Sequence, residues 1–460
     1  MMHETTTLKD KLTLFSRLLI PILITQVSMY LMNFFDTVMS GRVSAEDLAG
    51  VAIGSSIWVP VFTGINGVLL AITPIIAQLL GAKASNIMTK KIQQGIYLAI
   101  VLAITVFVTG IFVLNPLIQL MDLDAPVAHT AKYYLVFLGF GIIPLFVFNT
   151  LRAFIDALGQ TRISMIIILT SLPINFALNY IFIFGKLGVP AFGGIGSGIA
   201  TAITYWLVCG IAIVIVMKNS PFRLYNTFSN WSLPAISDWW EQLKIGVPMG
   251  FAIFFETSIF SAVTLLMSVY NTETIAAHQA AMNFSTLLYM LPLSVAMALT
   301  IAVGFEVGAK RFEDARTYGF LGLISGVGIS IFAGIVLFIG NDAIASLYNS
   351  EPDVITLTKK FIYFAIFFQL ADAFGAPLQG VLRGYKDVNI TLIISLISYW
   401  GIGLPSGWLI ANYTALEAFG YWVGLILGLS CGAIALLLRL LYLQKNMDMA
   451  NTVVKQQTIS

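Results

Sequence analysis

Apolar runs long enough to cross a lipid bilayer recur along almost the whole chain, and they constrain the fold more than any other feature. A membrane-spanning helix needs about 20 predominantly apolar residues. The sequence meets this requirement twelve times, at 14–38, 51–80, 92–120, 130–152, 163–185, 192–217, 242–270, 281–307, 317–340, 357–382, 389–411 and 417–443. We therefore predict an all-α polytopic membrane protein with twelve transmembrane helices. A β-barrel would show alternating strands of about ten residues instead.

The composition excludes most soluble functions. Of the 460 residues, 58% are apolar and only 10% are charged, whereas about a quarter of the residues in a soluble protein are charged. A soluble globule of this size needs a charged surface, so a cytosolic enzyme or a DNA-binding protein is excluded. The net charge of +2 gives no reason to expect a nucleic-acid partner. The expected partner is the lipid bilayer.

The placement of basic residues predicts the orientation of the chain. Lys and Arg collect on the cytoplasmic side of membrane proteins. If the amino terminus is cytoplasmic, 19 of the 24 basic residues fall in inner segments and five in outer ones. This asymmetry predicts that both termini lie in the cytoplasm, which also requires an even number of spans.

An internal repeat divides the chain into two similar halves. A shift of 227 positions places Pro21 on Pro248 and superposes Gly81-Ala82-Lys83 on Gly308-Ala309-Lys310 without a gap. Six spans in each half give both halves the same orientation, related by an axis along the membrane normal. The predicted organisation is an amino-terminal six-helix lobe (1–217), a cytoplasmic linker (218–241), a carboxy-terminal six-helix lobe (242–445) and a cytoplasmic tail (446–460).

The motifs of several catalytic classes are absent from the sequence. It has no GxxxxGK[ST] phosphate loop, so any uphill transport must use an ion gradient. It has no HExxH or GxSxG motif, and its three histidines are far apart. Cys209 and Cys431 each lie inside an apolar run, as apolar fillers do. We therefore expect a carrier and not an enzyme, with no cofactor and no structural metal.

Three acidic residues, Asp36, Glu256 and Asp372, lie well inside apolar runs. An acid at the centre of a membrane helix costs about 2.5–3.5 kcal/mol or more, and such residues are usually functional. No Lys or Arg lies in the middle of a span to pair with them. A buried carboxylate without a cationic partner favours binding of a proton or of a small cation such as Na⁺. We predict that these acids couple transport to an ion. Asp36 lies nearer the outer end of its span, where water could reach it.

Two pairs of polar residues share a helix face in consecutive spans. Asn175 and Asn179 are four residues apart in the fifth span, and Ser197 and Thr201 repeat this spacing in the sixth. Residues four apart lie on the same side of a helix. From the spacing alone, hydrogen bonding between helices is favoured over a role in transport.

Several stretches closely resemble one family of transporters. They are NFFDTVMSGRVSAEDLAGVAIGSSIW (33–58), ITPIIAQLLGAK (72–83), LNYIFIFGKLGVPAFGGIGSGIAT (178–201), FFETSIFSA (254–262) and ADAFGAPLQGVLRGYKD (371–387). These motifs resemble the NorM-like branch of the multidrug and toxic compound extrusion (MATE) family, and the similarity covers about residues 10–440. The resemblance implies two six-helix lobes in a V around a central cavity. It also implies export of cationic or amphipathic drugs against H⁺ or Na⁺. We expect the protein in a bacterial plasma (inner) membrane and functional as a monomer, because one chain already contains both lobes and needs no partner to make a cavity.

The resemblance also implies roles for individual residues of the amino-terminal half. Asp36 matches the family's first-helix aspartate, which binds a proton or sodium. Asn175 and Asn179 match fifth-helix positions near that site, so the resemblance favours a functional role for them; Ser197 is a looser match, and Thr201 is expected as a further polar contact. Some relatives carry an acid where this chain has Asn179. This departure leaves H⁺ and Na⁺ both open as coupling ion.

In the carboxy-terminal half, Glu256 and Asp372 match acids associated with cation binding in the family, so the resemblance implies a possible Na⁺ site there. Two related carriers remain as alternatives. A major facilitator drug/H⁺ antiporter would show a D-R-x-G-R-like motif in the second loop, where this chain has GAKASNIMTKK (81–91). A flippase for lipid-linked precursors would need a more cationic cavity. The sequence does not identify the physiological substrate.

Overall fold

The computed structural model describes residues 2–229, 231–348 and 351–459, and these ranges contain helices and connecting turns but no strand. The first half contains α1 (Leu8–Gly41), α2 (Ala45–Leu69), α3 (Ile72–Gly81), α4 (Ser85–Leu120), α5 (Ala125–Gly139), α6 (Ile142–Ala157), α7 (Thr161–Phe184) and α8 (Gly194–Lys218). The second contains α9 (Ile236–Leu266), α10 (Thr272–Gly308), α11 (Phe312–Ile339), α12 (Asn341–Tyr348), α13 (Pro352–Gly384), α14 (Val388–Leu396), α15 (Leu404–Tyr413) and α16 (Phe419–Ile459). The predicted all-α class is confirmed.

The membrane spans agree in number and place with the apolar runs. Within the described residues, 11 helical segments are long and apolar enough to cross a bilayer. Helices α5 and α6 pass the same test only as a pair, bent by 53°, and the total is twelve if this pair is counted as one span. The sequence did not predict this bend. Gly141 lies at the bend and packs closely on α8, since a Cβ atom there would lie 2.8 Å from the Cα atom of Ala202. A second irregularity, the π-helical segment Ile397–Gly403, joins α14 to α15.

The chain separates into two compact units. The first unit runs from Ile20 to Gly250, and the second comprises Met2–Leu19 together with the chain from Phe251 onward. Helices α1 and α9 therefore each contribute to both units. The predicted linker, 218–241, lies within the first unit, and the predicted lobe limits stay a prediction.

The linker packs firmly on the first unit. Phe222 is fully buried and contacts Phe154 of α6 edge-on, with ring centroids 6.0 Å apart. Gln93 of α4 accepts hydrogen bonds from the backbone N–H and the hydroxyl of Ser232, at 3.0 and 2.9 Å. Lys91 of the same helix forms an ion pair with Asp238 at 2.7 Å. These contacts order a segment that the sequence shows only as polar and aromatic.

The second unit is built around α10 and α13. Gly380 allows their close approach, because a Cβ atom there would lie 2.3 Å from the carbonyl oxygen of Ala296; small residues at helix contacts have this role in membranes. The amino-terminal segment joins this unit through Lys11, whose ammonium lies 2.9 Å from Asp314. The predicted tail, 446–460, forms the end of α16 as far as Ile459, and Ser460 lies outside the described residues.

Candidate functional site

The carboxylate of Asp36 lies at the meeting point of three helices in the first unit. Its residue is only 4% exposed, so the expectation that water could reach it is not met in this structure. Oδ1 accepts a hydrogen bond of 2.5 Å from Nδ2 of Asn179 in α7, and Oδ2 accepts one of 3.0 Å from the hydroxyl of Thr201 in α8. Both carboxylate oxygens therefore have neutral donors. No described Lys or Arg forms an ion pair with Asp36.

Asn175 completes this polar cluster. Nδ2 of Asn179 also donates to Oδ1 of Asn175 at 3.0 Å, and Nδ2 of Asn175 lies 3.4 Å from the hydroxyl oxygen of Thr201. The two asparagines thus use their shared helix face to connect α7 with both α1 and α8. The four residues Asp36, Asn175, Asn179 and Thr201, chosen from the sequence, form one hydrogen-bonded group.

Two further oxygens in this region are buried without a described hydrogen-bond partner. They are Oδ1 of Asn179 and the hydroxyl of Ser197, which lies one helical turn before Thr201. A buried polar atom without a partner costs about 1–3 kcal/mol. Their lone pairs can accept a hydrogen bond or ligate a cation. The structure shows no direct contact between Ser197 and Asp36.

Glycines at the start of α8 position its polar face. Gly193 has a φ of +57°, and a Cβ atom there would lie 2.6 Å from Oδ1 of Asp47, so this position requires glycine. The same Asp47 oxygen accepts a hydrogen bond of 2.6 Å from the backbone N–H of Gly194. At Gly196 a Cβ atom would lie 2.6 Å from the carbonyl oxygen of Phe182 in α7. These contacts bring Thr201 within reach of α7 and α1.

The carboxylate of Glu256 forms a second buried polar cluster, in the second unit. Glu256 lies in α9 and is 3% exposed. The hydroxyl of Tyr289 donates to Oε1 at 3.3 Å, and Nε2 of Gln379 donates to Oε2 at 3.4 Å. The hydroxyl of Tyr399, in the π-helical segment, also lies near this carboxylate. Residues of α9, α10 and α13 and of that segment thus meet at one acid.

Arg383 corrects the expectation that no basic residue serves the buried acids. The sequence places Arg383 in a cytoplasmic segment, but it is 6% exposed within α13 and donates from one guanidinium nitrogen to Oε1 of Gln379 at 3.0 Å. Because Gln379 in turn donates to Glu256, the amide connects the two charged groups. The positive charge of Arg383 also acts on Glu256 through space.

Asp372 belongs to the same cluster but lacks a full set of donors. It is 1% exposed in α13, and its Oδ2 atom has no described hydrogen-bond partner. The charges of Asp372 and Glu256 act on each other. Two neighbouring buried carboxylates are unfavourable when both are ionised, and a proton or cation relieves their repulsion. This arrangement is suited to binding one positive charge.

The two clusters differ in composition, as the repeat predicts. Asp36 aligns with Val263 and Glu256 aligns with Met29 under the shift of 227, so neither acid has a counterpart in the other half. The first cluster has one carboxylate with neutral donors. The second has two carboxylates and a guanidinium that acts through an amide. Each unit therefore has a buried polar cluster of its own composition.

Sequence reasoning missed two other buried acids. Asp156 in α6 forms an ion pair of 3.6 Å with Arg152 and accepts 2.5 Å from the hydroxyl of Ser164. Glu306 in α10 is fully buried and forms an ion pair of 2.6 Å with Arg311. Both acids lie near basic ends of spans, away from the centres of the apolar runs. The i,i+4 spacing of Arg152 and Asp156 is the signal in the sequence for their ion pair. Their direct ion pairs favour a structural role.

No group of three or more His, Cys, Asp or Glu side chains among the described residues could hold a metal ion. The two buried polar clusters instead present carboxylate, amide and hydroxyl oxygens. Oxygen ligands of this kind suit a hard, weakly held cation. They equally suit a proton.

The MatE family model matches residues 21–181 and 248–409 of this chain. The two matched segments begin 227 residues apart, which is the repeat found in the sequence. The same model therefore describes both halves. Both matches include a buried acid, Asp36 in the first and Glu256 with Asp372 in the second.

Curated relatives are similar over nearly the whole chain. One from Oceanobacillus iheyensis, named probable multidrug resistance protein NorM, is 67% identical over 444 residues, covering 96% of this chain and 99% of the relative. A Bacillus subtilis (strain 168) protein of the same name is 54% identical over 444 residues, covering 96% and 98%.

Solved structures share the fold at much lower identity. The eukaryotic MATE transporter AtDTX14 superposes with a TM-score of 0.87 at 22% identity, covering 97% of this chain and 99% of that chain. A MATE protein in complex with MaD3S gives a TM-score of 0.88 at 18% identity, covering 97% and 100%. These comparisons establish the fold of the chain.

Proposed function

This chain is a multi-span membrane protein that belongs to the MatE family, and from this premise we propose that it is a secondary active multidrug exporter. The proposed substrates are cationic and amphipathic drugs, exchanged for H⁺ or Na⁺ by alternating access. The names of the curated relatives, probable multidrug resistance proteins, support the drug substrates. We place the protein in a bacterial inner membrane with both termini in the cytoplasm, and we propose that one chain functions as a monomer.

The observation that carries the coupling is the environment of Asp36. A carboxylate in a membrane helix is costly, yet here it has only the neutral donors Asn179 and Thr201. Ion pairing, which explains Asp156 and Glu306, does not explain Asp36. A buried acid of this kind gains most by taking up a proton or a small cation. Asp36 is therefore the proposed coupling residue of the first unit.

Proton binding would change the hydrogen bonds between helices. The ionised carboxylate accepts from Asn179 and from Thr201 and so connects α1 to α7 and α8. A proton on either oxygen makes that oxygen a donor and a weaker acceptor, so the bond from Asn179 is weakened, or the bond with the Thr201 hydroxyl is reversed. The new donor can bond to an oxygen that lacks a partner, such as Oδ1 of Asn179. The contact of α1 with its neighbours then depends on the ionisation of Asp36.

Na⁺ binding would use the same oxygens differently. A cation beside Asp36 is neutralised by the carboxylate and can also be ligated by Oδ1 of Asn179, which lies in this cluster without a described partner. The donors from Asn179 and Thr201 need not be displaced. Either ion drives transport only if it binds one conformational state more tightly than the other, since equal binding to both shifts nothing.

The second cluster is proposed to bind the coupling cation in the second unit. Glu256 and Asp372 together have more negative charge than Arg383 neutralises, so the cluster as a whole attracts one further positive charge. Arg383 reduces this attraction from a distance, through Gln379. We propose that it sets a cation affinity weak enough for release during each cycle.

Proteoliposomes loaded with ethidium test this function. A Na⁺ gradient and a pH gradient are imposed separately, and drug flux is followed by fluorescence. Flux driven only by Na⁺ would identify Glu256 and Asp372 as the leading cation site. Flux driven only by the pH gradient would identify protonation of Asp36 as the first step. Ethidium flux of the same size with no ion gradient would refute antiport itself.

A further inference from the structure

A long apolar groove runs along the surface of the second unit. Its volume is about 1200 Å³, and it lies between α11, α13 and α16. Its walls include large apolar side chains that are open to the surroundings: Phe320 is 64% exposed and Ile434 is 61% exposed. No residue of the Glu256 cluster lines it. The groove is therefore separate from the site described above.

Small residues create the space. Gly328 of α11 lines the groove, and a Cβ atom added there would have no neighbour within 4 Å. Ala371, Ser430 and Ala433 line it from α13 and α16. Because these side chains are short, they do not fill the space between α11 and α16, and the groove is open at these positions.

Polar groups line the groove near the amino-terminal end of α11. They are Glu313, Arg316 and Thr317 of that helix, with Gln444 of α16. Glu313 and Arg316 lie three residues apart and are both exposed, yet neither forms an ion pair with any described side chain. This end therefore presents one free positive charge, one free negative charge and two hydrogen-bonding side chains.

The length of the groove along α11 corresponds to the thickness of one leaflet of a bilayer. Twelve residues separate Arg316 from Gly328, which is about 18 Å along a helix. Half of the hydrocarbon core of a membrane is about 15 Å thick. A headgroup beside Arg316 would thus have acyl chains that reach Gly328. Arg316 is also among the basic residues predicted to face the cytoplasm, so the relevant leaflet is the cytoplasmic one.

We propose that this groove binds a phospholipid whose headgroup carries a phosphate and a primary ammonium, as phosphatidylethanolamine does. Arg316 pairs with the phosphate, and Glu313 pairs with the ammonium. Charge complementarity selects this lipid: an anionic headgroup such as phosphatidylglycerol leaves Glu313 without a cationic partner, and a choline headgroup has no N–H to donate to it. The acyl chains lie on the apolar walls.

Native mass spectrometry of the purified chain tests this proposal. The protein is mixed with phosphatidylethanolamine, phosphatidylglycerol or phosphatidylcholine of identical acyl chains, and bound lipid is counted. We expect one tightly retained phosphatidylethanolamine per chain in the wild type. Gly328→Leu fills the groove without a backbone clash and should lose that lipid. Gly210→Leu is the matched control, because Gly210 of α8 is also exposed with no neighbour within 4 Å of an added Cβ, and it should retain the lipid.

Headgroup variants test the assigned contacts. Arg316→Gln should weaken binding of all three lipids, because each carries the phosphate that Arg316 contacts. Glu313→Gln should remove the preference for phosphatidylethanolamine over phosphatidylcholine. Equal lipid retention by Gly328→Leu and Gly210→Leu would overturn the proposal. Preferential binding of phosphatidylglycerol would overturn the headgroup assignment, and a dimer that Gly328→Leu abolishes would mean that a second copy occupies the groove.

Photo-crosslinking tests the position of the acyl chains on the wild-type chain, so its result does not depend on the folding of a variant. Phosphatidylethanolamine with a photoreactive group at the end of its acyl chain is activated on the wild-type chain, and the labelled peptides are identified. Labelling should concentrate at the end of the groove away from Arg316 and Gln444, around 327–331 of α11 and 430–434 of α16. Labelling spread evenly over the other membrane helices would contradict a specific site.

Discussion

Replacement of Asp36 by Asn separates stability from transport and can be worked out from the hydrogen bonds. The amide keeps the shape of the carboxylate: its oxygen can accept from Asn179, and its NH₂ can donate to the hydroxyl oxygen of Thr201. Each bond loses its charge assistance, about 1 kcal/mol per bond and roughly 2 kcal/mol in all. Removal of the buried charge of Asp36 stabilises the folded protein by about 2.5–3.5 kcal/mol. The free energy of unfolding should therefore change by no more than about 2 kcal/mol.

Asp36→Asn should abolish gradient-driven accumulation of drug. A tenfold ion gradient supplies about 1.4 kcal/mol per ion, enough for tenfold accumulation of drug at one-for-one exchange. Without an ionisable group at position 36 the first unit cannot take up the coupling ion. Asp36→Asn vesicles should hold ethidium at equal concentrations on both sides, whereas wild-type vesicles accumulate it. Gradient-driven accumulation by a monodisperse Asp36→Asn protein, at normal protein levels, would refute the role given to this residue.

Three other substitutions follow from the same contacts. Asp156→Asn leaves the buried Arg152 without its ion pair and should destabilise the protein by about 3–5 kcal/mol, measured by thermal unfolding in detergent; an unchanged melting temperature would contradict a structural pair. Gly193→Ala meets both a positive φ and a steric clash, so its melting temperature should fall further than that of Gly188→Ala, where φ is +82° but an added Cβ has no neighbour. Arg383→Gln removes a positive charge from the second cluster and should lower the half-saturating cation concentration for transport, by about tenfold for each 1.4 kcal/mol of repulsion removed; a higher value would show that the arginine instead holds the acids in place.

The sequence predicted the spans but not their irregularities. Twelve apolar runs have a one-to-one relation to the membrane-crossing segments, because length and hydropathy alone determine whether a helix can cross a bilayer. At the bend between α5 and α6, Gly141 packs against Ala202, which lies about 60 residues further along the chain. No local signal at Gly141 reports such a contact.

The candidate site was predicted in part for a similar reason. Helical spacing placed Asn175 with Asn179, but that both face Asp36 depends on how α7 and α8 pack against α1. Arg383 illustrates the opposite failure. Arg383 lies near the end of an apolar run, where a long basic side chain can extend to the lipid headgroups. In the structure it turns back to Gln379, one turn earlier on its own helix, and the position in the run does not distinguish these two directions.

The central claim is that drug and ion move in opposite directions through one coupled protein. Coupling is reciprocal, so a drug gradient alone should move the ion. Vesicles containing a pH-sensitive or a Na⁺-sensitive dye are given an ethidium gradient and no ion gradient. The account predicts movement of H⁺ or Na⁺ against the direction of the drug, and its loss in Asp36→Asn. Ethidium that crosses the membrane at the wild-type rate while both ions stay in place would contradict the account.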